Sequence, residues 1–407
     1  MTKARDLSLG GGASSSALAT TNATLATATS KLAGIETGAT ADQTKADIDS
    51  LGINRGRKNL ILNGSMQVAQ RPTVSGLYSY GKRLPVDGWV WGSGGAVVAT
   101  ATQSSDVPTG AGFGKSLKLD VTTADSSLVS GDYVQLIQRF EGQNLQLMKK
   151  GTSSAESLTL SFWIKTPVTG TYIARLWDNE NSSRCIQKPY TVSVANTWEK
   201  KTVVFEGDTT GAFSSDNLAR MNLTLWFMAG PNYTSGTLTT TWSPWAAANG
   251  AVGQVNAVAS TSNDIYITGF QLELGSVATD FEHRSFGEEL ALCQRYYEII
   301  ADGGRANDSP YFGVGQGVKS DQINWFYDFK AEKRATFTLI VPTVSNGYSA
   351  KTHSTTKTHS TLGFTSVHQS LHSIMGYMTN ISGVTEQSCW QMQLNSASAH
   401  IAVSAEL

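Results

Sequence analysis

Residues 266–298 read YITGFQLELGSVATDFEHRSFGEELALCQRYYE, and the pattern changes midway. Ile265 and Ile267 alternate with Tyr266 and Thr268, the period of a strand with one buried face. Gly275 ends that run. Between Glu288 and Ile300, Leu292, Tyr296 and Ile299 fall on one helical face, with Glu288, Glu289 and Arg295 elsewhere. A strand-built region therefore ends here, and a helix hands the chain to a second one.

Upstream, from Lys115 to Phe281, LKLDV, DYVQLIQRF, SLTLSFWIKT, TYIARLWD, WEKKTVVFE, MNLTLWFM and DIYITGFQLEL alternate apolar with polar residues, and Gly, Asp, Asn or Pro separate them. That spacing implies a two-sheet sandwich or jelly roll, not a parallel sheet with crossover helices. Downstream, in 301–407, YFGVGQGV, QINWFYDF, ATFTLIVP, IMGYMT and CWQMQL read as further strands. The insert SAKTHSTTKTHST reads as an exposed loop or hairpin. GVGQGVKS at Gly313–Ser320 imitates a phosphate loop, but Val318 stands where the glycine before Lys319 belongs, so it reads as a glycine-rich strand.

Residues 1–57 are rich in Ala, Thr, Ser and Gly and hold no aromatic residue, so they bury no core alone. Leu18, Leu25 and Leu32 recur at heptad spacing, which fits either a short coiled coil or an extended linker. Thr40–Gln43 (TADQ) fits a capping box opening a helix through Leu51.

Charged residues make up 15% of the 407 residues and the net charge is −1, which argues against nucleic acid as a partner. No apolar run reaches membrane length, so no membrane insertion is expected, and MTKARDLSLGGG lacks the apolar core of a secretory signal. The three cysteines, Cys185, Cys293 and Cys389, have neither metal-ligand nor disulfide spacing and read as small buried hydrophobes of a reducing compartment. Five of six histidines lie at His353 or beyond; without a tight His-x-His pair they read as loop residues, and no metal or other cofactor is expected.

GFQLELGSVATDFEHRSFGEELALCQRYYE resembles the closing signature of a sugar-binding-like sandwich found in bacteriophage tail-fibre proteins. The opening is similar too: Asn59, Asn63 and Gly64, the Gln70-Arg71 pair, then Asp87 and Trp89. Family members commonly carry Trp before the Gln-Arg pair, where this chain has Ala69. TKARDL and KLAGIETGATADQTKADI look like the attachment and shaft segments of such fibres. The resemblance implies a homotrimer joined to other virion tail proteins through its N-terminus, with host surface polysaccharide as its partner.

Tryptophan supplies the candidate site. In SLTLSFWIKT the core set is Leu158, Leu160, Phe162 and Ile164, so Trp163 takes the other face. By the same alternation Trp177 sits with Arg175, and Trp226 with Asn222 and Thr224. On one sheet these would form an aromatic patch interleaved with polar groups. Such a patch either stacks pyranose rings or packs against a neighbouring subunit. Trp242 and Trp245 lie in a loop that rims such a site or caps the sandwich, and Asp178 follows Trp177. The candidate carbohydrate contacts are thus Trp163, Arg175, Trp177, Asp178, Asn222, Trp226, Trp242 and Trp245, with no catalytic residue among them.

The expected fold is mainly β. An extended or coiled-coil shaft at 1–57 precedes a jelly-roll/β-sandwich at 58–300 that ends in a short helix, and a second, distal β domain fills 301–407. The expected function is non-catalytic adhesion to a host surface glycan by a virion tail appendage made in the host cytoplasm. Two alternatives remain: a structural head or tail fibre or adaptor without its own receptor site, and a glycan depolymerase, which needs paired acids.

Overall fold

Alternation fixes which face of each strand is buried, and the sheet order then decides what each exposed face meets. The structure, a computed structural model, describes residues 22–27, 29–30, 57–303 and 311–407. By their contacts the residues fall into two units, Met1–Arg55 and Gly56–Leu407. In the first unit, 22–27 and 29–30 are helical and Leu25 is exposed. Leu18, Leu32, the Thr40–Gln43 capping box and the helix expected through Leu51 lie outside the described residues.

The second unit begins with a two-sheet antiparallel sandwich of the jelly-roll class. One sheet runs Val74–Leu77, Val98–Ser104, Ser116–Thr123, Asp264–Leu274, Leu158–Lys165, Glu199–Phe205. The other runs Ser243–Pro244, Arg184–Val192, Gly170–Asp178, Ala219–Ala229, Tyr133–Glu141, Trp89–Gly94, Lys82–Arg83. Between them lies one large core. Phe162 meets Tyr190 edge-on at 5.1 Å and Trp89 meets Phe270 at 4.5 Å, both across the two sheets. Each such aromatic contact contributes about 0.5–1.5 kcal/mol beyond the area it buries.

The Asp264–Leu274 strand shows how sequence detail sets this frame. Its register against Leu158–Lys165 shifts between Thr268 and Gln271, a bulge. Gly269 makes the bulge possible: its φ is +66°, and a Cβ there would lie 2.6 Å from Phe113 Cζ. The extra residue resets the alternation, so Ile265 and Ile267, then Phe270 and Leu272, all face the core. The 59–64 segment runs alongside, and Asn59 serves the strand's free backbone groups: its amide donates to Phe270 O at 3.0 Å and its Oδ1 accepts from Leu272 N–H at 3.1 Å. Gly275, at φ +107°, follows the strand's end.

The helix differs from the expectation. It spans Phe286–Gln294, with Ser285 capping the Glu288 N–H, and stops there. Tyr297–Asp302 is instead a strand paired with His400–Ser404. Tyr296 and Ile299 fitted a helical face, but the run YYEII is aromatic and β-branched, which favours a strand once a partner is present.

A three-stranded sheet (Tyr297–Asp302, His400–Ser404, Thr338–Ile340) and a seven-stranded sheet complete the unit. The expected polar insert is the hairpin of Tyr348–Lys351 and Thr356–His359, and the pseudo-phosphate loop lies in the strand Tyr311–Lys319. Cys185 and Cys293 are buried, but Cys389 is exposed, on the outer face of that sheet opposite Gln316. Among the described residues no helix is long and apolar enough to cross a membrane, and no group of three or more His, Cys, Asp or Glu could hold a metal ion.

Polar and charged groups join this second β part to the sandwich. Gln70 Nε2 donates to Asp87 Oδ2 at 2.6 Å and to Tyr297 O at 2.7 Å. Arg71 pairs with Asp87 at 3.2 Å and Glu406 at 2.8 Å, and lies 3.5 Å above the Tyr297 ring. Arg295 grips Glu141 with two bonds of 2.9 Å.

Candidate functional site

Gly170–Asp178 and Ala219–Ala229 lie side by side, with Trp177 opposite Asn222 and Arg175 opposite Thr224. On the other flank Tyr133–Glu141 sets Gln135 opposite Trp226 and Ile137 opposite Thr224. Leu176, Leu223, Leu225 and Leu136 fill the core, so their alternating neighbours form the sheet's outer face.

The 230–251 loop builds a wall on that face. It carries a short helix, Pro231–Thr234, and a 3-10 turn, Ala247–Asn249. Backbone bonds from Gly236 N–H to Ala248 O and from Ala251 N–H to Tyr233 O, both 2.8 Å, tie the two together. Beneath them Ile173, Trp226, Ala229 and Ala251 make a small second core. Ser243–Pro244 adds to the sheet edge, and Trp245 N–H donates to Ser183 O at 3.1 Å, which fixes the loop's far end.

Between wall and sheet lies a groove of about 370 Å³. Its aromatic surface comes from Trp177 and Trp245, 5.0 Å apart and tilted by 56°, and from Tyr80, Tyr133 and Tyr233. Tyr233 meets Trp226 at 5.3 Å and Tyr133 at 5.9 Å. Its polar surface includes Asn179 and Asn222, which bond each other at 3.0 and 3.3 Å, and Gln135 and Thr224. The Arg175 guanidinium lies 4.8, 5.1 and 5.0 Å from the rings of Trp177, Trp226 and Trp245. Burial lowers its pKa to about 10.

Five residues singled out from sequence therefore meet here: Arg175, Trp177, Asn222, Trp226 and Trp245. Trp226 is 1% exposed and acts mainly as the floor. The other three lie elsewhere. Trp163 belongs to the opposite sheet, across from Lys200 and Thr268. Trp242 packs on the main core and donates to Glu206 O at 2.6 Å. Asp178 is fully buried, paired with Lys150 at 2.6 Å and capping the Glu180 and Asn181 N–H groups, a structural role. Sequence reasoning missed Tyr133, Gln135 and Ile137, although the alternation in DYVQLIQRF put them on the outer face. Tyr80 and Tyr233 lie outside the strands, where no periodicity marks them.

No protein-family model and no curated protein matches the chain. Among solved structures it aligns with the enzymatically active domain of bacteriophage CBA120 tailspike protein 4 at 18% identity and TM-score 0.30, over 53% of this chain and 21% of that one. It also aligns with a family 16 carbohydrate-binding module-2 (16% identity, TM-score 0.25, 53% of this chain and 99% of that). A third match is the family 11 carbohydrate-binding module from Clostridium thermocellum in complex with a β-1,3-1,4-mixed-linked tetrasaccharide (12%, 0.25, 48% and 91%). The chain thus spans about a fifth of the tailspike chain. At these TM-scores the site rests on its own geometry.

Proposed function

We propose that this protein is a non-catalytic, glycan-binding component of a phage tail fibre. It is made in the host cytoplasm, assembles as a homotrimer, attaches to other virion tail proteins through residues 1–57 and holds a host surface polysaccharide in the sandwich groove. The observation that carries this reading is the groove itself: Trp177 and Trp245 beside tyrosines, with the Asn179 and Asn222 amides between them. Indole faces take the apolar C–H faces of sugar rings while amides bond the hydroxyls. The lining offers amides, hydroxyls and a guanidinium where a two-carboxylate glycosidase needs acids. Weak single sites suit a trimer, because several copies on one particle raise avidity without new contacts.

The test is binding of the purified protein to intact host cells and their extracted polysaccharide, beside a Trp177→Ala, Trp245→Ala variant, with assembly followed by light scattering. Both indoles are only partly buried, unlike Trp226, so the variant keeps its fold and mass. We expect it to bind at least tenfold more weakly while glycan chain length stays unchanged. Equal binding by the variant, or none by the wild type at high concentration, refutes the groove assignment. Shortened glycan would show a depolymerase.

A further inference from the structure

Three cationic residues among the described ones are buried: Lys150, Arg175 and Lys333. Lys150 has Asp178 and Asp208 at 2.6 and 3.1 Å, and Lys333 has Glu298 at 2.6 Å. This is what burial of charge demands. Arg175 is the exception. It is 8% exposed, and no carboxylate among the described residues pairs with it. Its one hydrogen bond runs from Nη2 to the neutral Thr224 hydroxyl at 3.3 Å, and its Nε has no partner. Three indoles surround it, and their faces attract a cation without neutralising it. The groups that act on its charge are the thiol of Cys185, whose pKa burial raises, and the phenols of Tyr80 and Tyr233; no carboxylate is among them. A second donor on the same face, Trp226 Nε1, is also unpartnered.

We infer that the groove is built for an acidic glycan, one whose sugar carries a uronic- or sialic-type carboxylate that supplies the missing counter-charge of Arg175. This rests on the glycan-binding reading above and adds the ligand's charge. A guanidinium fork and a carboxylate match in plane and spacing, so the pair adds orientation as well as attraction. The indoles flanking the cation are also the stacking surface, so a ring laid on Trp177 or Trp245 would carry its carboxylate towards Arg175. A neutral glycan would leave the buried charge as it found it.

The experiment measures binding of the full-length protein by calorimetry to polygalacturonate, alginate, hyaluronan, colominic acid and host polysaccharide, and to the carboxyl-reduced form of each. We expect at least one acidic polymer to bind, its reduced form to bind roughly ten- to a hundredfold more weakly, as fits loss of one charge-assisted bond, and its affinity to fall from 20 to 200 mM NaCl. Arg175→Gln, checked for fold by circular dichroism, should erase the difference between the two forms, and Arg175→Lys should restore part of it. Should Arg175→Gln not fold, the reduced polymers decide alone. A reduced form that binds as tightly as its acidic parent overturns the charge assignment and leaves the groove reading standing. No binding by any acidic polymer, with host polysaccharide bound equally before and after carboxyl reduction, overturns the charge assignment alone; no binding to host polysaccharide in either form overturns the groove reading as well.

Discussion

Replacing Gly250 by alanine should open the groove from behind. Gly250 sits at φ −78° and ψ −30°, where any L-residue is comfortable, so the backbone offers no objection. The space does. A Cβ at Gly250 would lie 2.2 Å from Trp245 Cη2 and 2.8 Å from Cζ3, so the indole must leave its seat. Its departure removes the Trp177 contact at 5.0 Å and the Arg175 contact at 5.0 Å. An aromatic pair is worth about 0.5–1.5 kcal/mol and a partly desolvated cation–π contact about 1–2 kcal/mol. Relaxation of an exposed loop returns some of this, so the net loss should fall near the ~1–3 kcal/mol typical of overpacking. The assay is urea unfolding with near-ultraviolet circular dichroism, which reports the coupled Trp177–Trp245 pair, beside glycan affinity. We expect a lower midpoint, a changed indole signal and about tenfold weaker binding, the equivalent of ~1.4 kcal/mol. An unchanged indole signal with wild-type stability would show that Trp245 does not rest on Gly250, and the groove wall as described would be wrong.

Two further outcomes follow from charges away from the groove. Lys333 Nζ and Glu298 are both fully buried, and Glu298 also accepts from Tyr327 OH at 2.9 Å and Lys330 N–H at 3.1 Å, so Lys333→Met should strand a buried carboxylate and cost about 3–5 kcal/mol in chemical denaturation; a loss below 1 kcal/mol would mean that the pair is hydrated. Burial raises the Asp87 pKa from 3.8 to about 7, outweighing the Arg71 guanidinium beside it. The folded state therefore keeps a proton that the unfolded chain releases, so the contribution of Asp87 is complete below about pH 4 and is lost as pH rises through about 7. Unfolding free energy should fall more steeply over that window in the wild type than in Asp87→Asn, and parallel slopes would refute the assignment.

Faces were legible in the sequence, and sheets were not. Alternation placed Trp163, Trp177 and Trp226 correctly on the non-core side of their strands. It could not say that Leu158–Lys165 pairs with Asp264–Leu274, about a hundred residues away, while the next strand, Gly170–Asp178, belongs to the other sheet. That long-range choice separates Trp163 from Trp177 and Trp226. The groove wall was less legible still. Its loop is held by backbone bonds and by an indole seated on a glycine, features with no period. The end of the helix was misread because Leu292, Tyr296 and Ile299 satisfy a helical spacing, while the strand Tyr297–Asp302 exists only because His400–Ser404 is there to pair with it.

The residues that carried the family resemblance do a different job from those that line the groove. Asn59 serves the backbone around a bulge, and Gln70, Arg71 and Asp87 tie the sandwich to Tyr297 and Glu406. All are bound up in the frame, and their polar atoms are spent on it. The groove residues Trp177, Asn179, Asn222 and Trp245 lie outside those motifs, on strand ends and a loop that the frame leaves free to vary. On the proposed function, chains that share the Asn, Gln-Arg and Asp-x-Trp signatures should therefore share this architecture and its joint while differing in the glycan they hold. Exchanging the 230–251 loop between two such chains should move ligand preference without moving stability by more than the loop's own packing. Replacing the shared motif residues by alanine should do the reverse.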